Sequence, residues 1–278
     1  MSAPGRPARP LLADRDLSAL LDDTFGLYRR HLGVVLLLAA CVVIPVELLV
    51  SGIGLGQLTG SYDTSPSTGE TLFGSGVTSL VTTPLVTGML VKVLLDDAAG
   101  RPVSAGAAGR TGLDAFAPLL GTVVLAGIGI VLGLAAFVVP GIFLAVRWFV
   151  AAPAVVVEGR APTDALRRSW DLVTGHGWWV LGVVIVVTLL AGVLSLLVSL
   201  PFGAAADAAD SQAVALVGTT LAEVVALPFT AIATTLAYFT LRARHGERAG
   251  EGEGGAPPVE EPPPPAGPGG WEPPVPPR

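Results

Sequence analysis

Three ionisable residues lie inside long apolar stretches of this sequence and are its best candidates for chemistry. They are Glu47, Arg147 and Glu223. A charge without a partner inside a bilayer costs at least several kcal/mol, so such residues pair with one another or mark a site for a substrate, an ion or a lipid headgroup. Counting about 1.5 Å per helical residue places all three at a similar depth, in the outer half of the bilayer.

Two interpretations of this intramembrane polar cluster stay open. In the functional one, Glu47, Arg147 and Glu223 form a polar site in which Arg147 contacts an anion. In the structural one, they form an ion pair that holds three membrane spans together. We favour the structural pair, because a functional site requires an accompanying cavity and the sequence does not show whether Arg147 lines one.

Two short amphipathic segments carry a second group of candidate residues. Residues 16–31 and 163–176 place apolar side chains at helical spacing and charged side chains on the other faces. This pattern is typical of helices that lie on a membrane surface. Their arginines, which we predict to contact anionic lipid headgroups, are Arg29, Arg30, Arg167 and Arg168.

The sequence contains no pattern that is typical of a catalytic, metal or cofactor site. Cys41 is the single cysteine and the three histidines lack the spacing of metal ligands. There is no G-x-S-x-G motif and no P-loop. We therefore predict that the protein is not an enzyme and has no catalytic residues, metal ligands or cofactor. The net charge of −6 argues against a nucleic-acid partner.

The composition is that of a polytopic membrane protein. Hydrophobic residues make up 51% of the chain and charged residues only 14%, with a mean hydropathy of +0.68. A soluble domain would have about a quarter charged residues. The N-terminus lacks the apolar region and cleavage site of a signal peptide, so we expect the first span to serve as an internal signal-anchor.

The predicted fold is all-α, with six transmembrane helices and two amphipathic helices on the cytoplasmic surface. Residues 1–15 and the Pro-, Gly- and Glu-rich residues 245–278 are predicted to be disordered tails around a membrane domain of residues 16–244. The six spans are predicted at about 33–56, 72–95, 117–138, 141–157, 177–200 and 213–241.

The middle of the chain must fold back on itself. A single helix over residues 117–157 would be about 60 Å long, twice the thickness of the hydrocarbon core. We predict the break at Pro140–Gly141 and a further interruption at Pro153. Whether residues 141–157 cross the membrane fully or form a kinked, partly re-entrant helix stays open.

The distribution of basic residues predicts the orientation. With six spans, every lysine and arginine except Arg147 falls on the side that also holds both termini. Basic residues in short loops stay in the cytoplasm. The abundance of Ala, Gly, Val and Arg indicates a bacterial source. We therefore predict a multi-pass protein of the bacterial plasma membrane with cytoplasmic termini.

Three segments resemble a known family. LLDDTFGLYRRH, VPGIFLAVRWFVAAPAVVVEG and ALRRSWDLVTGHGWWVLG are similar to bacterial six-span proteins of unknown function, often labelled "glycerophosphoryl diester phosphodiesterase membrane domain". The resemblance covers about residues 16–244 and implies a six-span membrane domain. In some relatives that domain precedes a catalytic barrel, which is missing here, so the resemblance implies no hydrolase activity and no catalytic residues.

The first functional hypothesis is therefore a non-enzymatic membrane protein with a lipid-associated, scaffolding or regulatory role. Its expected partners are membrane lipids and, as a second class, other membrane proteins. The alternative is a transporter or permease component that uses Glu47, Arg147 and Glu223. No substrate can be named from the sequence.

Overall fold

The computed structural model describes residues 11–49, 68–209 and 211–246. These residues form helices joined by short turns, with no strand among them, which confirms the all-α prediction for this part of the chain. The helices are α1 (Leu17–Arg30), α2 (Leu32–Glu47), α3 (Thr68–Ala98), α4 (Ala105–Asp114), α5 (Phe116–Ala136), α6 (Val138–Arg147), α7 (Ala151–Glu158), α8 (Pro162–Val173), α9 (Gly177–Ala209) and α10 (Gln212–Arg244).

Helix α10 is the centre of the bundle. It packs against α9 along much of its length and also contacts α1, α2 and α3. Its C-terminal half buries a row of large side chains: Phe229, Ile232, Leu236, Tyr238 and Leu241. Lipid tails are as apolar as these side chains, so within a bilayer the bundle is stabilised by close packing and hydrogen bonds more than by exclusion of water.

Several helices are long and apolar enough to cross a membrane. In the described residues, five helical stretches meet that requirement, and the bent pair of α1 and α2 would make a sixth. The axis of α1 turns by 81° from that of α2. A membrane protein with several spans fits this architecture, and the number of six spans stays a prediction.

The fold-back in the middle of the chain lies a few residues before its predicted position. Instead of breaking at Pro140–Gly141, the chain reverses at Phe137, which has an extended backbone (φ −166°, ψ 149°) between α5 and α6. Pro140 is the third residue of α6, where a missing N–H removes no intrahelical hydrogen bond. Close packing of the two helices relies on small residues, because a Cβ on Gly133 would lie 2.9 Å from the Cα of Gly141.

A second break divides the predicted fourth span. Helix α6 ends at Arg147 and α7 begins at Ala151, with a turn between them. Pro153 is again the third residue of the new helix, so the interruption that it predicts occurs three to five residues earlier. Residues 141–157 therefore belong to two helices, and whether together they cross the membrane stays a prediction.

Helix α9 is longer than the fifth predicted span. The sequence suggests an end near residue 200, before a polar loop, whereas the helix continues through Pro201 to Ala209. Alanine is the strongest helix former, and the alanines after Pro201 favour continuation of the helix. At the other end of the bundle, the second half of the predicted first span, from residue 50, lies outside the described residues.

Helices α1 and α8 use their apolar faces to pack against the bundle. Asp16 caps α1 by accepting a hydrogen bond of 2.8 Å from the backbone N–H of Ala19. The buried face of α1 includes Leu20 and Tyr28, whose hydroxyl donates to the carbonyl of Val225 in α10 at 3.0 Å. The buried face of α8 consists of Ala165, Leu166, Ser169, Leu172 and Val173.

Candidate functional sites in the bundle

Glu47 and Glu223 lie together in the structure. Glu47 is the last residue of α2, and Glu223 lies in the first half of α10. Their carboxyl groups share a hydrogen bond. Thr82 of α3 completes the group, with its Oγ1 atom 3.1 Å from Oε1 of Glu223. The structure thus brings two of the three predicted residues together, while their depth in a membrane stays a prediction.

The hydrogen bond between the two glutamates requires a proton on one of them. An ionised carboxylate only accepts hydrogen bonds, so two ionised carboxylates could not bond to each other and would repel. Thr82 can supply only one proton, and its Oγ1 atom also lies 3.0 Å from the carbonyl oxygen of Thr78. The pair that shares one proton carries one negative charge.

A groove with a volume of about 390 Å³ opens beside Glu223, between α9 and α10. This volume falls within the range of small-molecule binding sites. The polar residues that line the groove are Ser195, Ser199, Thr219, Glu223 and Thr230. The other lining residues are alanine and leucine.

Arg147 makes different contacts from those that the sequence suggests. Its Nη1 atom donates a hydrogen bond of 2.8 Å to Oγ1 of Thr174. Its guanidinium lies 5.0 Å from the ring centroid of Phe143 and 4.9 Å from that of Trp170. Within the described residues, Arg147 forms no ion pair with a carboxylate. The structure thus brings Glu47 and Glu223 together and does not bring Arg147 to them.

The turn after α6 explains the position of Arg147. The carbonyl of Arg147 accepts a hydrogen bond of 2.8 Å from the hydroxyl of Ser169, which ties the end of α6 to the buried face of α8. If α6 continued straight beyond residue 147, the guanidinium would lie beyond the contact between α6 and Ser169 of α8. Because the helix ends there, the side chain lies against α8.

Most of the other basic residues gather at one end of the bundle, which we call the basic end. Ion pairs and contacts join the start of α1 to the end of α10, and the end of α1 to the end of α3. The basic end comprises Arg15, Arg30, Lys92, Arg101, Arg160, Arg168, Arg242 and Arg244. This grouping agrees with the segregation of basic residues in the sequence, while the side of the membrane that they face stays a prediction.

Arg147 is close to the basic end. Its partner Thr174 precedes His176 by two residues, and the ring of His176 lies 5.5 Å from that of His245, just after α10. Glu223 lies about 28 Å along α10 from Arg242, at about 1.5 Å per residue. Arg147 therefore lies far from the two glutamates along the bundle.

A buried carboxylate at the basic end was not among the candidates from the sequence. The side chain of Glu158, at the end of α7, is only 2% exposed. It accepts hydrogen bonds from Nε of Arg168 at 2.9 Å, from Arg160 and from the hydroxyl of Tyr238. Arg242 lies above the ring of Tyr238, 5.7 Å from its centroid. The signal available in the sequence was a glutamate that ends an apolar run and precedes Gly159.

The four predicted headgroup contacts divide into two pairs. Arg29 and Arg167 are exposed, and no partner for either is found in the described residues. Arg30 forms an ion pair with Asp97 at 3.3 Å. Arg168 is mostly buried and bonds to Glu158. Of the four, only Arg29 and Arg167 are exposed and have no partner among the described residues, so only these two have charges that are not paired within the bundle.

The described residues provide no arrangement for a metal ion. No group of three or more His, Cys, Asp or Glu side chains in this part of the chain could hold one. The single cysteine, Cys41, is exposed on α2. Hydrogen bonding and charge are therefore the chemistry that the described sites offer.

Comparison with known proteins gives one match. No curated protein and no solved structure matches the chain. A family model described as "Domain of unknown function (DUF7847)" matches residues 69–241, which include Arg147, Glu158 and Glu223 and exclude Glu47. Because the match covers more than half of the sequence, the chain belongs to the DUF7847 family.

Proposed function

We propose that this chain is a non-enzymatic protein of the bacterial plasma membrane that binds anionic phospholipid headgroups and acts as a lipid-associated scaffold or regulator. Its basic end faces the cytoplasm in this proposal. The observation that carries it is the guanidinium of Arg147, which has no carboxylate partner in the described residues and lies near the basic end. The likeness to the phosphodiesterase-linked membrane domains fits a lipid-facing role and adds no catalytic residue.

The hydrogen-bonding capacity of Arg147 is largely unused in the described structure. A guanidinium has five N–H donors, and the single hydrogen bond found for Arg147 goes to Thr174. A charged group next to lipid requires a partner of opposite charge. A phosphate group matches the planar guanidinium by accepting two parallel hydrogen bonds. A phospholipid headgroup would therefore complete this site.

Two aromatic side chains hold the guanidinium in place at the surface of the bundle. Phe143 and Trp170 stack edge to face with their ring centroids 5.5 Å apart, and both contact Arg147. Phe143 is 45% exposed and Trp170 is 36% exposed, so this frame is open to the surroundings. An arginine fixed between aromatic rings loses less side-chain freedom on binding a phosphate than one on a flexible surface.

Neighbouring surface residues support binding at the same membrane surface. Arg167 is exposed on α8, the helix that also carries Trp170. Trp178, at the start of α9, is 88% exposed, and tryptophan is enriched at membrane–water interfaces. Each arginine near an anionic leaflet adds about 1 kcal/mol of attraction. Arg29, exposed at the end of α1, provides a further positive charge.

The experiment is a comparison of lipid binding by purified protein in nanodiscs. Wild type is expected to retain phosphatidylglycerol over phosphatidylcholine through purification, as measured by native mass spectrometry. Arg147→Gln should reduce that preference by about tenfold, because it removes a charge-assisted pair. The matched control is Arg110→Gln, which removes an exposed arginine of α4.

Two results would contradict the proposal. One is a wild-type protein with no preference for the anionic lipid. The other is an equal loss of preference in Arg110→Gln, which would indicate an effect of net charge alone. Arg29→Gln and Arg167→Gln should each give a smaller loss than Arg147→Gln, because neither side chain is fixed by aromatic neighbours.

A second candidate function, a transporter or permease component, is favoured by the groove beside Glu223. In this alternative the polar site consists of Glu47 and Glu223 without Arg147. It predicts proton flux in proteoliposomes that Glu223→Gln abolishes. The exposed Asp207, on the same helical hairpin, provides the control variant Asp207→Asn. Unchanged flux in Glu223→Gln would eliminate this alternative.

A further inference from the structure

We infer that the groove between α9 and α10 binds a small primary ammonium ion, with Glu223 as its anchor. Glu47 does not line the groove and acts through its hydrogen bond to Glu223. This site is separate from the lipid site at Arg147. It goes beyond the proposed function, because it requires no lipid and involves none of the basic-end residues. Three properties of the groove support it: its hydrogen-bonding character, its charge and its size.

The walls of the groove offer hydrogen-bond acceptors. Thr219 donates its hydroxyl proton to the carbonyl of Leu216 at 3.0 Å, and Thr230 donates to that of Ala226 at 3.2 Å. Their oxygen atoms therefore present lone pairs to the groove. Carboxyl oxygens of Glu223 add further acceptors. A ligand that supplies several N–H donors fits this lining, and an anion does not.

The charge of the pair points to a monovalent cation. A hydrogen bond between the carboxyl groups of Glu47 and Glu223 requires one proton, so a pair joined in this way has one negative charge left. One ammonium group neutralises that charge and leaves the shared proton in place. Its three N–H donors can be divided between a carboxyl oxygen and the hydroxyl oxygens of the groove. No proton needs to be released when it binds.

The size of the groove distinguishes an organic cation from a metal ion. A volume of about 390 Å³ is far larger than a metal ion requires. Among the described residues, no group of three or more His, Cys, Asp or Glu side chains could hold a metal ion. The alanine and leucine side chains of the groove can pack against a short hydrocarbon chain. An alkylammonium ion therefore matches both the polar and the apolar residues of the lining.

The test is equilibrium binding of radiolabelled butylammonium to the full-length chain in phosphatidylcholine nanodiscs, with empty nanodiscs subtracted. Wild type should bind one ion per chain in a saturable manner. Glu223→Gln should weaken binding by about tenfold or more, the effect of losing a hydrogen bond to a charged group. The control Asp207→Asn removes an exposed carboxylate from the same hairpin and should change binding by less than about twofold.

A second variant tests the groove without altering charge. Thr219 is exposed and lines the groove, so Thr219→Leu fills space there with little risk to folding. It should likewise weaken binding by about tenfold or more, because the side chain occupies the space of the ligand. The inference is overturned by the absence of saturable binding in wild type, by unchanged binding in Glu223→Gln or Thr219→Leu, or by an equal loss in Asp207→Asn. Displacement by an equal concentration of sodium would overturn the ligand class. Phosphatidylcholine nanodiscs carry no anionic lipid. A negative result for butylammonium binding therefore does not bear on the binding of anionic lipid at Arg147.

Discussion

Glu158 and Glu223 are two glutamates on apolar helices of the same bundle, and they have opposite surroundings. Glu158 accepts hydrogen bonds from two arginines and a tyrosine hydroxyl, and its side chain is 2% exposed. Glu223 meets another carboxyl group and a threonine, and it borders a groove. The first charge is satisfied by the protein, whereas the second requires a proton or a ligand.

This contrast separates structural charges from candidate binding groups. A buried carboxylate with its hydrogen bonds filled by cations holds helices in position, and Glu158 joins α7 to α8 and α10. A carboxyl group next to another carboxyl group gains little from its neighbour. Glu223 therefore has a capacity for binding that Glu158 lacks. Stability measurements on matched variants can test this difference.

The largest effect is expected for Glu158→Gln. The amide cannot neutralise Arg168, which is mostly buried, and breaking a buried pair in this way costs about 3–5 kcal/mol. We expect a large drop in the free energy of unfolding, measured by chemical denaturation in nanodiscs or mild detergent. Arg160→Gln is the matched variant, because Arg160 is the second arginine partner of Glu158. Arg160 is 41% exposed, so its loss should cost about 1 kcal/mol or less.

Equal effects of these two variants would contradict the comparison. So would a Glu158→Gln protein as stable as wild type, because the carboxylate would then not organise the basic end. A combined Glu158→Gln and Arg168→Gln variant should be more stable than the sum of the two single changes predicts. The reason is that the double variant removes the carboxylate together with its mostly buried partner, and the remaining Arg160 is exposed to solvent.

A smaller effect is expected for Tyr238→Phe. The change removes one hydrogen bond to the carboxylate of Glu158 and leaves the ring in the core of α10. The loss of a hydrogen bond to a charged group predicts a destabilisation of about 1–3 kcal/mol. Tyr28→Phe provides the control, since its hydroxyl donates to a neutral backbone carbonyl at 3.0 Å and should contribute less. A larger loss in Tyr28→Phe would refute the assignment.

The sequence predicted the helical class and the segregation of basic residues for clear physical reasons. Long apolar runs can satisfy their backbone in a bilayer only as helices or closed barrels, and the sequence lacks strand alternation. By counting residues along the helices, the sequence also suggested that Glu47 and Glu223 could meet. The structure brings those two together.

Arg147 shows where such counting fails. The sequence predicts breaks at proline, whereas the chain breaks before Pro140 and before Pro153, and each proline falls in the first turn of the next helix. A shift of a few residues redirects the side chain at the end of α6. The partners of Glu158 also come from α8 and α10, and contacts between distant segments leave no local pattern in a single sequence.

The smallest effect on stability is expected for Glu223→Gln. In wild type, the hydrogen bond between Glu223 and Glu47 requires a proton on one carboxyl group, whereas an amide in place of Glu223 donates through its own N–H group. We therefore expect a change of about 0.5 kcal/mol or less near neutral pH, of either sign, by the same denaturation assay. If Glu223→Gln destabilises the protein as strongly as Glu158→Gln does, the two glutamates have the same structural role. That result would contradict the assignment of the groove as a binding site.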